Sequence, residues 1–240
     1  MGKKKAGKGA KDAAKAASSD SGAGACILDE FLFLGPATAA SNSAFLTSNA
    51  ISHVISIGHD PPTRLELRVR APGTGLNVPP GKTLPLEYHR LRLVDSASAA
   101  SSSALDTCVA QASEILERCA SQRTRALVHC SAGISRSPTV LAAYLMRHRG
   151  MRLKAALYTL ARARPAVSPN PHFLAWLQDE EVRIYGGEGS LAGIERLPVK
   201  TADRLALLAP GEEAAQPDES AREKVQPEET QVTPESSGAA

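Results

Sequence analysis

The chain has 240 residues, 42% of them hydrophobic and 4% aromatic, with 28 Lys and Arg against 25 Asp and Glu. No apolar run approaches membrane-spanning length, and four scattered cysteines without a signal peptide suggest no disulfide framework and fit a reducing compartment, with cytoplasm or nucleus expected. The net charge of +3 hides an asymmetry: Lys3, Lys4, Lys5, Lys8, Lys11 and Lys15 crowd the start, whereas the chain from Gly211 onward is rich in Glu, Pro, Ser and Ala. Residues 1–25 are expected as a disordered Lys/Ala/Gly-rich arm, 26–186 as one folded domain, and 187–240 as a mostly disordered acidic tail. Without aromatic or apolar anchors the basic arm reads as a solubilising one, so no obligate nucleic-acid partner is expected. Leu191 to Leu208 is weakly apolar, and its sequence leaves open whether it packs on the domain or meets a partner.

Within the domain, apolar runs predict strands near Cys26–Leu28, Phe31–Leu34, His53–Ile57, Tyr88–Val94 and Arg125–His129. Helical spacing predicts helices near Ala39–Ser48, Ala104–Ser121, Ser137–Arg149, Leu153–Ala163 and Asn170–Tyr185. This alternation predicts an α/β fold with a mainly parallel central sheet of about five strands, flanked by helices on both faces. The connection from Gly58 to Glu87 is rich in Pro and Gly, carries Arg64, Arg68 and Arg70, and is read as a solvated loop rather than a substrate-facing insertion.

The stretch Val128-His129-Cys130-Ser131-Ala132-Gly133-Ile134-Ser135-Arg136-Ser137 joins the last predicted strand to a helix start. A helix N-terminus offers unpaired N–H groups and a partial positive charge, which bind anions and favour a thiolate over a thiol. Arg136 adds a permanent charge and a planar fork that matches two phosphate oxygens. Cys130 is therefore the candidate nucleophile and Arg136 the candidate clamp, with Ser131, Ala132, Gly133, Ile134 and Ser135 as the binding loop between them. Gly133 lets the backbone turn its N–H groups inward, and the hydroxyl of Ser137 is placed to bond the sulfur. No metal is expected: Cys26, Cys108, Cys119 and Cys130 contain no pair spaced two to four apart, and His129 directly beside Cys130 is poor tetrahedral spacing. No cofactor is expected either.

Transfer of a phosphoryl group to Cys130 requires an acid for the departing alkoxide, because a serine or threonine oxygen leaves poorly unless protonated. Asp95 is the candidate, at the end of an alternating strand pattern and the start of a Ser/Ala run; the competing reading makes it the cap of the next helix. Asp60, in a Pro-rich loop, and Asp106, near the start of a helix, fit less well.

At these residues the chain resembles the cysteine-dependent protein phosphatase superfamily, and within it the small atypical dual-specificity branch. His129, Cys130, Arg136 and Ser137 meet the motif His-Cys, five residues, Arg, then Ser or Thr. Phe31-Leu32-Phe33-Leu34-Gly35 is similar to the family's opening strand, and Arg164-Pro165 through Asn170 and Phe173 is similar to its closing pattern. The resemblance spans roughly Cys26 to Gly186. It implies a cysteinyl-phosphate intermediate, a general acid at the place of Asp95, and a supporting role for His129 in holding the loop. It also implies that Asn170 orders the loop from behind, with a simple helix cap before Phe173 as the alternative. Phosphorylated proteins, with protein kinases among the candidates, are the partners it implies, on phosphotyrosine and phosphoserine/threonine alike. The absence of Lys and Arg inside the loop tilts away from phosphoinositide or RNA 5′-phosphate substrates, and an intact Cys130 and Arg136 tilt away from a non-catalytic phosphoprotein binder. Oligomeric state is not read from the sequence.

Overall fold

The computed structural model describes residues 23–28, 31–59, 64–70, 83–95 and 102–210. Strands β1 (Ala25–Leu28), β2 (Leu32–Gly35), β3 (Ile51–Ile57), β6 (Glu87–Leu91) and β7 (Arg125–His129) form one sheet in the order β1-β2-β7-β3-β6, and β4 (Arg68–Arg70) pairs with β5 (Thr83–Pro85) in a separate ribbon. Within the five-stranded sheet only β1 runs antiparallel to its neighbour; β2, β7, β3 and β6 are parallel. A parallel sheet needs both faces covered, and β3 is accordingly buried from end to end.

One face carries α3 (Ser102–Gln122), α4 (Arg136–Arg149), α5 (Leu153–Ala163), α6 (Pro171–Tyr185) and α7 (Thr201–Leu208), packed on Leu32, Leu34, Ile55 and Val128. The other carries α1 (Ala37–Ala40) and α2 (Ser43–Ser48), packed on Phe33, Ile51, Val54 and Leu127. Helix α4 is the central one: every residue from Ser137 to Met146 is buried, because α3, α5 and α6 surround it. Helix α5 shows the one-sided pattern of a covering helix, burying Leu153, Ala156, Leu157, Leu160 and Ala161 at helical spacing.

Four sequence expectations are corrected here. The single helix expected over Ala39–Ser48 is two short ones, because Asn42 leaves the helical region and its side chain accepts a 2.9 Å bond from the Phe45 N–H, starting α2 afresh. The strand expected to reach Val94 stops at Leu91, where its only partner, β3, ends at Ile57; Val94 is solvent-exposed. The connection from Gly58 to Glu87 is more than a solvated loop: it contains the β4–β5 ribbon, with Val69 buried and Leu65, Leu67 and Leu86 packed on the second core. Asp60, considered as an acid, lies outside the described residues.

The fourth correction concerns the expected tail from residue 187. Residues 187–210 belong to the folded unit, with Leu191, Leu197 and Leu208 buried. The fully buried Glu181 carboxylate accepts bonds from the N–H groups of Leu153 (2.9 Å) and Ser190 (2.7 Å) and pairs with Arg152 (2.8 Å). Gln178 Nε2 donates to the carbonyls of Leu191 and Ile194. Arg204 on α7, almost fully buried, donates to the carbonyls of Pro198, Val199 and Pro165. No described helix is long and apolar enough to cross a membrane.

At the sheet edge, His53 of β3 and His89 of β6 stack with ring centroids 5.5 Å apart, and burial pulls both imidazoles below their ordinary pKa. Burial acts in the opposite sense on two thiols, pushing Cys108 up to about 12 and Cys119 up to about 11.

The packing of 187–210 yields a stability prediction. A chain cut after Gly186 strips three buried leucines and the Arg204 bonds from the domain, whereas one cut after Pro210 keeps them. At about 1.5–3 kcal/mol per buried leucine side chain, the shorter form is expected to lose at least ~3 kcal/mol relative to the longer one in urea unfolding.

Candidate active site

Strand β7 delivers His129 and Cys130 to the carboxyl end of the sheet, and α4 begins six residues beyond Cys130 at Arg136. The loop between them is shaped from outside. Ser131 O accepts from the Ala37 N–H (3.0 Å), Ala132 O from Arg164 Nη2 (2.9 Å), Gly133 O from Arg164 Nε (3.1 Å), and Ile134 O from the Ser168 N–H (2.9 Å). Ser135 O accepts from the backbone and the hydroxyl of Thr139. In a trans peptide the carbonyl and the following N–H point in opposite directions, so these bonds turn the N–H groups of residues 132 to 136 inward. Gly133 makes the sharpest turn, at φ +67°, and a Cβ there would fall 2.6 Å from the Gly35 carbonyl oxygen. Only glycine fits that corner.

The sulfur of Cys130, 2% exposed, sits beneath this loop and accepts from the Gly133 N–H at 3.2 Å and the Ser137 hydroxyl at 3.3 Å. Both donors are aimed at the one sulfur. His129 is fully buried, with Nδ1 3.1 Å from the Cys130 carbonyl oxygen, a position that holds the loop's first peptide. Ser131, Ala132 and Ile134 are exposed and uncharged on the outer lip.

The Arg136 guanidinium is anchored at one corner, where Nη1 donates to the Gly58 carbonyl at 2.8 Å. Its Nε is buried, makes no hydrogen bond, and lies 3.4 Å from Asp95 Oδ2. Asp95 Oδ1 accepts from the Ser135 hydroxyl (3.2 Å) and Asn170 Nδ2 (2.9 Å). The structure therefore brings Asp95 to the loop and beside Arg136. The competing reading of Asp95 as a helix cap fails, since α3 begins only at Ser102. Asp106 is held away from the loop by Arg147 (3.2 Å) and Arg183 (3.1 Å).

Asn170 caps a helix and also makes contacts on the loop side. Its Oδ1 caps α6 by accepting from the Phe173 N–H at 2.9 Å, while Nδ2 grips Asp95 and its own N–H meets the Ser135 hydroxyl. With its hydroxyl engaged there, Ser135 offers no side-chain cap to α4. No side chain therefore caps the start of that helix, an arrangement that suits an anion.

Sequence reasoning misses two contributors. Gly58, at φ +62°, carries the carbonyl that holds Arg136; a Cβ there would lie 1.9 Å from the Leu93 carbonyl oxygen. Its only sequence signal is a glycine just after the seven-residue strand Ile51–Ile57. Arg164 stands in the Arg-Pro pair already noted, but its two bonds to loop carbonyls come from a helix end 31 and 32 residues away.

The comparisons agree with this geometry. Residues 32–183 match the family model described as the catalytic domain of dual specificity phosphatases. Dual specificity protein phosphatase 1 of Arabidopsis thaliana is 30% identical over 155 residues, covering 65% of this chain and 68% of its own length. Dual specificity protein phosphatase Mpk3 of Drosophila melanogaster is 30% identical over 167 residues, covering 68% of this chain but only 35% of its own length. The crystal structure of human DUSP28 superposes with a TM-score of 0.52 at 25% identity, covering 67% of this chain and 94% of that one. The chain belongs to the dual specificity phosphatase catalytic-domain family, and its activity is that of a protein phosphatase.

Proposed function

We propose that Cys130 is the nucleophile, Arg136 the phosphate clamp and Asp95 the proton carrier in a two-step hydrolysis of phosphotyrosine and phosphoserine or phosphothreonine esters on proteins. What carries the reading is the meeting, in one cleft, of a sulfur with two donors on it, a ring of inward N–H groups, and an arginine whose Nε faces a carboxylate. In the first step the thiolate attacks phosphorus, the bond to the ester oxygen breaks, and Asp95 gives its proton to the leaving oxygen. In the second, water attacks phosphorus, Asp95 takes up the water's proton, and sulfur leaves as a thiolate held by the Ser137 hydroxyl. The N–H groups of 132–136 and Arg136 stabilise the equatorial oxygens throughout.

An arriving phosphate competes with Asp95 Oδ2 for Arg136 Nε. The Asn170 and Ser135 donors act on the other carboxylate oxygen, Oδ1, so Asp95 keeps its seat while it gives up the arginine. The uncharged lip supports singly phosphorylated side chains over highly charged phosphoinositides or RNA ends, because phosphate recognition rests on backbone groups and one arginine. Cytoplasm or nucleus suits four cysteines, Cys26, Cys108, Cys119 and Cys130, none of which forms a disulfide.

Cys130→Ser is expected to abolish turnover of phosphopeptides while leaving their binding measurable by calorimetry. Asp95→Asn is expected to slow alkyl phosphates by about 10²–10⁴-fold and activated aryl phosphates at least ~10-fold less; equal losses on both would remove Asp95 from the acid role. Asn170→Ser keeps an oxygen to cap α6 but lacks the amide that reaches Asp95. Its kcat should fall by about tenfold with the melting temperature nearly unchanged, a split that a cap-only role would not produce. Gly58→Ala should raise KM for phosphopeptides by displacing the carbonyl that orients Arg136, and phosphate inhibition should weaken in parallel.

A further inference from the structure

Among the described residues, one group of His, Cys, Asp and Glu side chains brings three donor atoms within 4.8 Å of one another: His53, Glu87 and His89. The group is built by strand register. His53 of β3 lies opposite Glu87 of β6, and His89 lies two residues further along β6, so Glu87 and His89 project from the same face of the sheet. His53 Nδ1 is 3.2 Å from His89 Nε2 and 3.6 Å from Glu87 Oε2, and His89 Nε2 is 3.9 Å from that same oxygen.

A tetrahedral zinc ion with bonds of about 2.0–2.1 Å holds its ligand atoms about 3.4 Å apart. The three separations bracket that edge. A hydrogen bond between the two imidazoles explains the 3.2 Å contact, and carboxylate–imidazole attraction explains the other two. A dication accounts for all three distances together. Two imidazoles and a carboxylate form a donor set that suits late first-row divalent ions, zinc above all.

Accessibility is graded in the way such a site requires. The His53 side chain is 6% exposed and that of His89 18%, while that of Glu87 is 52% exposed, so a cation reaches the buried nitrogens over the carboxylate. Arg118 of α3 acts electrostatically on both histidines and opposes a cation; the Glu87 charge offsets it. The buried Cys119 also senses both of those charges.

We propose that His53, Glu87 and His89 form a three-ligand site for a divalent cation of the zinc class, with its fourth position open to water, that ties the edge strand β6 to β3. The site is remote from Cys130. His53 lies five residues before Gly58, about 16 Å along an extended strand. It sits at the start of the same strand pair whose far end is joined by the Gly58 N–H bonding the Leu91 carbonyl, and from which Gly58 and Asp95 reach the catalytic cleft. A bound ion thus fastens the pair at the end away from the chemistry.

The test uses the full chain without a histidine tag, carrying Cys26→Ser and Cys130→Ser so that neither the exposed thiol nor the catalytic one takes metal. Titration with Co²⁺ is followed by its visible absorption, then by displacement with Zn²⁺, and thermal melting is measured with and without Zn²⁺. The expected result is one equivalent of tetrahedral Co²⁺ displaced by Zn²⁺ and a raised melting temperature with Zn²⁺. Glu87→Gln and His89→Gln should each weaken uptake at least ~10-fold and abolish the rise. Glu87→Gln alters a half-exposed side chain and keeps the fold, so its result stands even if His89→Gln proves unstable. Absence of saturable uptake in the parent, or uptake of equal affinity in Glu87→Gln, overturns the site.

Discussion

Five successive carbonyls, from Ser131 to Ser135, are bonded on the side away from Cys130, and much of the molecule is arranged to keep them so. A loop of this length has no intrinsic reason to turn all its carbonyls the same way. Aligned dipoles repel, and each outward carbonyl would otherwise find water at no cost. The partners come from the α1 turn (Ala37), the end of α5 (Arg164), the approach to α6 (Ser168) and the first turn of α4 (Thr139). Folding the domain therefore sets the positive lining before any ligand arrives, which is the condition under which fixed dipoles stabilise developing charge without reorganising.

The charges around that lining are tied to one another with similar economy. Arg136 is held by a backbone carbonyl rather than by a carboxylate, so its positive charge is oriented without being neutralised at that corner. The carboxylate that does approach it, Asp95, is itself held through its other oxygen by Ser135 and Asn170. Asn170 in turn owes its place to the start of α6, where its side chain caps the helix and Pro171 follows at the first helical position. The helix cap and the positioning of Asp95 are one residue's two hydrogen bonds.

What the sequence made legible was whatever depends on near neighbours. The buried strand Arg125–His129, the central helix ending at Gly150 and the amphipathic α5 all follow from local periodicity and capping. The proposed nucleophile and clamp were legible too, because their relation is a fixed spacing within one loop. Contacts that depend on distant partners were not: Gly58 on Arg136, Arg164 on the loop carbonyls, and the His53–His89 pair set by the register of two strands 36 residues apart. Residues 187–210 were misread for a related reason. Their composition blends into the acidic segment beyond Gly211, and α7 is fixed less by its own apolar stripe than by a buried arginine with four oxygen acceptors.

That arginine links the last helix to the cleft by a short relay. Arg204 holds the carbonyl of Pro165, and the preceding residue, Arg164, holds the carbonyls of Ala132 and Gly133. The family-model match spans residues 32–183, so it includes Arg164 and Pro165 but not Arg204. Without α7 the Pro165 carbonyl loses the Arg204 donor, and the turn that keeps Arg164 over the loop loses its outer support.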